Sequence, residues 1–279
     1  MRKLVVTTVS VVLLFSAGFA IHVVTTIHPY YLIVSEISEG RAEVSLLVEP
    51  GINPHTFSPK VSQIKVIAKA DIIIANGLGL EPYLRPYSKK TLYVGEKIPK
   101  FFLNVENHEA IEGVNPHVWL DPLFVKYYIV PTIVEALNQL DPENRDYYLE
   151  NAKRLIKKLD AIIRRAYALL TPFAGTYVIV THPSFYYFFR EYSIRVLSVE
   201  EGHGVRPSIA HLEELIKLTK SGRVLGLFHE PQMDDRGIKT IAKETKRTYT
   251  TIDPLGVEAK SIEELFDEVL DAIEGIIHE

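Results

Sequence analysis

The chain has 279 residues, of which 47% are hydrophobic, and it carries a formal net charge of −4 and no cysteine. This length suits two modest domains or one large one, while the scattered charges, with no basic block interleaved with aromatic residues, lead us to expect no nucleic-acid partner. The absence of cysteine excludes disulfides, thiolate metal ligands and a lipid anchor on cysteine.

Residues 1–20 have the pattern of a secretory signal peptide. Arg2 and Lys3 supply the positive start, Leu4–Phe15 is almost wholly apolar, and Ser16–Ala20 contains the small residues of a cleavage site. We therefore predict an exported protein, located in the periplasm or at the outer face of the cytoplasmic membrane. The alternative is an uncleaved N-terminal anchor, because an apolar segment of about 17 residues can just span a bilayer.

Residues 21–141 alternate between strand and helix patterns. The predicted strands are His22–Thr26, a strand within Arg41–Gly51, the apolar run Asp71–Ala75 and a short strand within Thr91–Glu96. Strands that alternate with helices indicate α/β units around a mainly parallel sheet. We predict that these residues form an N-terminal lobe.

Residues 142–171 have the longest helical pattern in the sequence. Asp141 is a suitable N-cap, with Pro142 in the first turn and Glu143 near the positive end of the helix dipole. Apolar side chains then recur at helical spacing until the pattern stops near Pro172. Nearly thirty helical residues make a rod of about 45 Å, which we predict to be a rigid link between two lobes.

The α/β pattern restarts in residues 172–279. The predicted strands are Tyr177–Thr181, Arg195–Glu200, a strand within Arg223–Pro231 and Tyr249–Ile252, with a final helix from Ser261. The predicted fold class is therefore α/β with two lobes, each a mainly parallel sheet flanked by helices, joined by one long helix.

Open α/β sheets bind ligands at the carboxyl ends of strands, and three candidate residues, His55, His182 and Asp253, follow predicted strands, while a fourth, His117, lies in a loop before VWLDP. The pattern Gly-Ile/Val-Asn-Pro-His occurs twice and ends at His55 and His117, while His182 and Asp253 each follow a predicted strand. A neighbouring proline restricts the backbone at each position. Three imidazoles and one carboxylate suit a first-row divalent metal, zinc in particular. The alternative is ordinary loop chemistry, since Asn-Pro itself starts turns.

These motifs resemble the substrate-binding proteins of zinc/manganese ABC importers, in the group with two lobes and a rigid linking helix. The matching segments are LLVEPGINPHTFSP, ADIIIANGLGLEPYL, NPHVWLDP, THPSFYYFFREYSI, PSIAHLEELIKLTKSGRVLGLFHEPQ and TTIDPLG, in that order. The resemblance covers the chain after residue 22 and implies that His55, His117, His182 and Asp253 bind the metal. A third histidine is the family's zinc pattern, whereas its manganese binders usually have a carboxylate there.

The resemblance implies a monomeric, non-enzymatic receptor that delivers a divalent metal to the membrane permease of an ABC importer. Zn²⁺ is the expected ion, and Mn²⁺ is the second candidate. Two features depart from the family pattern: the lipid-bearing cysteine is absent, and the His-rich loop shrinks to Lys100–Gly113, with His108 alone. Glu230 and Asp121 are candidates to orient ligand imidazoles through their second nitrogen. The alternative for both is a helix-start or salt-bridge role.

Two other functions remain open at this point. A zinc hydrolase needs an open coordination position and a general base, whereas four protein ligands leave no such position, and the sequence lacks a His-Glu-x-x-His motif. A two-lobed receptor for manganese or for a metal chelate is the other alternative. A chelate site needs aromatic or arginine side chains in the cleft, and we expect Trp119 and Tyr186 to pack behind the ligands instead.

Overall fold

The computed structural model describes residues 20–103, 114–202 and 205–278 of the chain. Residues 1–19 of the predicted signal peptide lie outside the described residues. His108 of the shortened loop lies outside them as well. Across the described ranges, no helix combines the length and the apolar character needed to cross a bilayer.

The first lobe is built on a parallel sheet with the strand order β2-β1-β3-β4. Its strands are β1 Ile21–Thr25, β2 Ala42–Leu46, β3 Ile72–Ala75 and β4 Thr91–Tyr93, and its first helices are α1 His28–Ser38, α2 Val61–Lys69 and the short α3 Lys100–Leu103. In the central strand, Val23 lies opposite Val44 and Ile72 and is fully buried. Burial on both faces explains the unbroken apolar run of β3 and the two consecutive valines, Val23 and Val24, in β1.

A helical segment that the sequence analysis assigned to no element follows the loop at residues 114–117. It comprises a 3₁₀ turn at Val118–Leu120, α4 Pro122–Phe124, a π-helical turn at Val125–Ile129 and α5 Val130–Leu140. Pro131 comes directly after the π-helical turn, in a backbone that is helical on both sides, so this proline does not mark the break that a proline usually marks in a helix.

The long linking helix is α6, Arg145–Leu170, with a 3₁₀ turn at Pro142–Asn144 before it and another at Thr171–Phe173 after it. The side chains that recur at helical spacing are all buried: Tyr148, Ala152, Leu155, Leu159, Ile162 and Ala166. On the solvent side, Lys158 lies 2.8 Å from Glu36 of the first lobe and 2.8 Å from Glu263 of the second. The helix is thus bonded to both lobes.

The second lobe repeats the topology of the first, with a parallel sheet in the order β6-β5-β7-β8. Its elements are β5 Tyr177–Val180, α7 Tyr186–Arg190, β6 Arg195–Ser198, α8 Ile209–Lys220, β7 Val224–His229, α9 Arg236–Thr245, β8 Thr250–Thr251 and α10 Ile262–Ile277. One continuous apolar cluster joins Trp119 of the first lobe to Phe185 and Phe228 of the second. The predicted fold class is confirmed, and the lobes share a core as well as a helix.

Candidate metal centre

Three of the predicted ligands lie together between the lobes. One ligand nitrogen from each of His55, His117 and His182 lies within 4.8 Å of the other two. The Nε2 atoms of His55 and His117 are 3.0 Å apart, and His117 and His182 are only 3% and 1% exposed. Nitrogens bound to one tetrahedral zinc at about 2.0–2.1 Å lie roughly 3.3 Å from each other, so the cluster has the dimensions of a metal site.

The topology explains why residues so distant in sequence meet. His55 lies in the loop after β2, and His182 lies two residues after the end of β5, at the start of a 3₁₀ turn. His117 precedes the 3₁₀ turn at Val118–Leu120. The carboxyl ends of parallel strands lie at one edge of each sheet, and the loops that leave these two edges bring His55 and His182 together with His117.

The repeated Asn-Pro-His pattern forms the same turn twice. Asn53 Oδ1 accepts a hydrogen bond from the backbone N–H of His55 at 2.9 Å, and Asn115 Oδ1 accepts the equivalent bond from His117 at 2.9 Å. Asparagine side chains favour such bonds to the backbone two residues on, and the proline between restricts φ. The predicted turn chemistry and the predicted ligand role are therefore compatible, because the turn presents the imidazole.

Two side chains, the buried Asn115 and the half-buried Glu200, contact the Nδ1 atoms of two of the clustered rings. Asn115 Oδ1 lies 2.7 Å from His117 Nδ1, and Glu200 Oε2 lies 3.3 Å from His182 Nδ1. Neither residue was predicted from the sequence as a partner of the rings. A signal was present for both, since Asn115 belongs to the repeat and Glu200 stands two residues after β6, at the carboxyl edge of the sheet.

Glu230, named from the sequence as a candidate to orient an imidazole, is fully buried beside His182. Its Oε1 accepts a hydrogen bond from the backbone N–H of His182 at 3.2 Å. Burial raises the pKa of the Glu230 carboxyl well above its usual range. Glu230 therefore holds the chain that carries His182, while Glu200 contacts the ring itself.

Asp253, the fourth predicted ligand, is not a member of the three-histidine cluster found among the described residues. Its Oδ1 accepts hydrogen bonds from Gln232 Nε2 at 2.8 Å and from the backbone N–H of Leu255 at 3.0 Å, and its Oδ2 accepts from Val257 at 2.8 Å. Pro254 and Leu255 nevertheless line the same cavity as the histidines. The structure thus brings three predicted ligands together and holds the fourth in a neighbouring turn.

The cavity at the histidines has a volume of ≈ 10 Å³, about the space of one water molecule. Trp119 closes it from behind: its ring centroid lies 5.1 Å from that of His117, and its indole N–H donates to Pro254 O at 2.8 Å. A larger cavity of ≈ 460 Å³ lies beyond Asn53 and Met233, which border both spaces. We assign the chemistry to the smaller cavity, because the three imidazoles converge there.

Asp121, the other candidate for orienting an imidazole, is the N-cap of α4. Its Oδ1 accepts hydrogen bonds from the backbone N–H groups of Leu123 at 2.8 Å and Phe124 at 3.4 Å. Burial raises the pKa of this carboxyl to about 7, and the negative charge of Glu191 adds to the rise. The contacts of Asp121 match the helix-start alternative considered for it.

Residues 23–275 match the family model described as zinc-uptake complex component A, periplasmic. The chain belongs to this family. A putative metal-binding protein of Thermotoga maritima is 40% identical over 275 residues, covering 98% of both chains. The high-affinity zinc uptake system protein ZnuA of Bacillus subtilis is 25% identical over 284 residues, covering 95% of this chain and 82% of the relative. The predicted resemblance is confirmed.

Solved structures related to this zinc-uptake family member have the same fold. A crystal structure of ZnuA superposes with a TM-score of 0.79 at 28% identity, covering 91% of this chain and 99% of that one. The binding protein FpvC of Pseudomonas aeruginosa in complex with Mn²⁺ gives 0.78 at 28% identity, covering 93% and 98%. A ZnuA deletion mutant with zinc bound gives 0.79 at 27% identity, covering 91% and 98%. Related proteins of this fold therefore hold different divalent ions.

The titration of Asp121 yields a test of the fold around the metal centre. A folded-state pKa of about 7, against about 3.9 in the unfolded chain, means that stability is greatest below pH 4 and falls as the pH rises to 7. Asparagine accepts the same capping bonds but cannot ionise. We expect Asp121→Asn to raise the free energy of unfolding by about 1–3 kcal/mol at pH 8 and by much less at pH 4. Urea unfolding at both pH values measures this, and an equal difference at both would contradict the assignment.

Proposed function

We propose that this zinc-uptake family member is an extracytoplasmic receptor that captures one Zn²⁺ between its lobes and delivers it to the membrane permease of an ABC importer. The observation that carries the proposal is the convergence of three imidazole nitrogens, contributed by both lobes, within 4.8 Å of one another. Two of these rings are almost completely buried. Buried imidazoles whose nitrogens converge in this way are typical of metal ligands.

The donor set supports zinc as the captured ion. Neutral imidazole is a good ligand for zinc, which accepts nitrogen donors in tetrahedral geometry, whereas manganese prefers oxygen donors and higher coordination numbers. Zinc also appears in the names of several relatives, including the ZnuA proteins of Bacillus subtilis and Brucella abortus. We propose that the site binds Zn²⁺ as its main ion and Mn²⁺ with lower affinity.

The fourth coordination position is proposed for Asp253. Its support is its place two residues after β8, next to Pro254 and Leu255, which line the histidine cavity. To reach the ion, its Oδ1 must exchange the hydrogen bond from Gln232 for a bond to the metal. Glu230 and Asp121 are proposed as supports of the site that act through the backbone of His182 and through the cap of α4.

A charge-removing substitution tests the place of Asp253. Losing a partner outside the ligand set costs 10–100-fold in metal affinity, so losing a charged ligand should cost at least about tenfold. We expect Asp253→Asn to weaken zinc binding by that factor or more, measured by competition with a chelator. Asp235→Asn removes a surface charge that is paired with Lys239, and it should leave the affinity unchanged. If Asp253→Asn binds zinc as tightly as the wild type does, Asp253 is not a ligand and the protein ligands are the three histidines.

The cavity also favours a carrier over a hydrolase or a chelate receptor. A hydrolase must fit a substrate group beside the metal and its bound water, and a chelate is larger still. The space in which the imidazoles converge, ≈ 10 Å³, fits a bare ion, and the larger cavity of ≈ 460 Å³ begins only beyond Asn53 and Met233. We therefore propose that the protein has no enzymatic activity, and that Trp119 serves as packing behind His117.

We propose an exported, monomeric protein located in the periplasm or at the outer face of the cytoplasmic membrane. The support is the family description, which includes the word periplasmic, and a relative described as a lipoprotein in Streptococcus mutans, 27% identical over 235 residues. This sequence has no cysteine, the residue that would carry a lipid, so we propose no lipid attachment for it. Residues 1–20 are proposed as the signal peptide, with an uncleaved anchor as the alternative.

Thermal unfolding with and without zinc tests the proposed function. A ligand present at a hundred times its dissociation constant adds about 2.7 kcal/mol to the stability of the folded state. We expect zinc to raise the melting temperature clearly, with one equivalent bound, while peptidase, esterase and phosphatase assays give no turnover. Zinc-dependent turnover that disappears in His117→Ala would contradict the receptor and support the hydrolase.

A further inference from the structure

The two copies of the Asn-Pro-His turn differ in what their asparagines do beyond the turn. Asn53 is half-buried, and its amide nitrogen points to Met233 Sδ at 3.7 Å. Asn115 is 1% exposed, and its Oδ1 lies 2.7 Å from Nδ1 of the His117 ring. The two turns are alike, but in the second one the asparagine, Asn115, also contacts the imidazole of His117.

The orientation of the Asn115 amide follows from its other partners. The backbone N–H of His117 can only donate, so the atom it meets at 2.9 Å is the carbonyl Oδ1. The backbone carbonyl of Pro183 can only accept, so the atom it meets at 2.8 Å is the amide Nδ2. Both contacts require the same orientation, and the oxygen therefore faces the imidazole.

This orientation determines which nitrogen of His117 carries the proton. Because Oδ1 can only accept, Nδ1 of His117 must be the protonated nitrogen, and Nε2 keeps its lone pair. Nε2 is the nitrogen that lies 3.0 Å from His55 Nε2, within the cluster. The ring is therefore held with its lone pair toward the other histidines, in the tautomer that can bind a metal without a proton shift.

Asn115 also connects the two lobes. Its Nδ2 donates to Pro183 O, one residue after His182, and its backbone carbonyl accepts a hydrogen bond from Tyr187 OH at 2.8 Å. A single buried side chain thus contacts the imidazole contributed by the first lobe and the turn that carries the imidazole of the second. Any movement of the His182 turn changes the partners of the amide that orients His117.

We propose that Asn115 is a positioning residue for metal binding, which holds His117 in the Nδ1–H tautomer and ties its ring to the His182 turn of the other lobe. The proposal rests on the proposed function, in that His117 is taken to be a metal ligand. Partners that orient a ligand imidazole through its second nitrogen raise metal affinity by 10–100-fold in other proteins.

The test compares three variants by ring ¹H–¹⁵N NMR on the metal-free protein and by zinc titration against a competing chelator. Asn115→Ala removes every contact of the side chain, Asn115→Asp keeps the acceptor for Nδ1 but cannot donate to Pro183 O, and Asn53→Ala alters the matched turn. We expect His117 to be the Nδ1–H tautomer in the wild type, in Asn115→Asp and in Asn53→Ala. We expect a shift toward Nε2–H in Asn115→Ala, with zinc affinity lowered about 10–100-fold.

An unchanged tautomer and unchanged zinc affinity in Asn115→Ala would overturn the proposal, as would an Nε2–H tautomer in the wild type. If Asn115→Ala fails to fold, an Asn115→Asp variant that loses the Nδ1–H signature would overturn it equally. Failure of the proposed function has a different outcome: wild-type protein that binds no zinc, or binds it without changing the His117 ring signals. The tautomer measurement on metal-free protein separates these two failures.

Discussion

Replacing His117 by alanine is expected to lower the zinc affinity at least about a thousandfold, or about 4 kcal/mol of binding free energy. The substitution removes one of three imidazoles whose ligand nitrogens lie within 4.8 Å of one another. The loss should exceed the 10–100-fold cost of removing an outer partner, because a ligand bond itself disappears. Competition against a chelator of known zinc affinity measures the change.

His211→Ala is the matched control for this experiment. His211 is on α8, and its Nε2 lies 2.8 Å from Ser198 O, away from the cluster. We expect its removal to leave zinc affinity within about twofold of the wild type, since it is not among the clustered histidines. A loss smaller than tenfold in His117→Ala would exclude His117 as a ligand.

Replacing His182 by glutamate is expected to change which metal the site prefers. The substitution exchanges a nitrogen donor for one or two oxygens, and it places another carboxylate beside Glu200 and Glu230. Zinc accepts nitrogen donors in four-coordinate sites, whereas manganese prefers oxygen donors and a higher coordination number. We therefore expect zinc binding to weaken by about tenfold or more and the gap between zinc and manganese to narrow.

Calorimetric titrations of both metals into the wild type, His182→Glu and His211→Ala measure this effect. In the control, both affinities should equal those of the wild type. Intact zinc affinity in His182→Glu would mean that His182 does not bind the metal, whatever its place in the cluster.

Much of the fold was predictable, because buried parallel strands carry unbroken apolar runs between helical patterns. The predicted strand His22–Thr26 differs by one residue at each end from the observed β1, Ile21–Thr25. The predicted strand Tyr249–Ile252 shrinks to Thr250–Thr251, because β8 pairs along only two residues with the end of β7. The helix α5 was not predicted, since a proline within an apolar run suggests a break, whereas the helical backbone continues through Pro131 after the π-helical turn.

The candidate site was predictable where the residue type itself is informative. Histidines next to a proline, two of them in loops after strands and one in the repeated Asn-Pro-His pattern, pointed to His55, His182 and His117, and the structure brings these three together. Which side chain supports each ring depends on contacts between distant elements. Glu200 reaches His182 from a neighbouring strand end, and no spacing in the sequence encodes that contact.

The three histidines are held near each other by the fold as well as by any ion. Besides α6 and the continuous core, hydrogen bonds cross between the lobes from Trp119 to Pro254 O at 2.8 Å and between His28 and Leu255 O at 3.2 Å. Arg190 of α7 donates to Phe102 O of the first lobe at 2.7 Å. A site held together in this way costs less ordering entropy when the metal binds than loosely held side chains would.

X-ray absorption at the zinc edge, on the wild-type protein loaded with one equivalent of zinc, tests the central claim most directly. It counts the imidazole rings on the metal and measures their distances, without any substitution that could disturb the fold. We expect three imidazole nitrogens at about 2.0–2.1 Å and one further light-atom ligand. A spectrum with one imidazole or none would contradict the assignment of His55, His117 and His182 as the metal site.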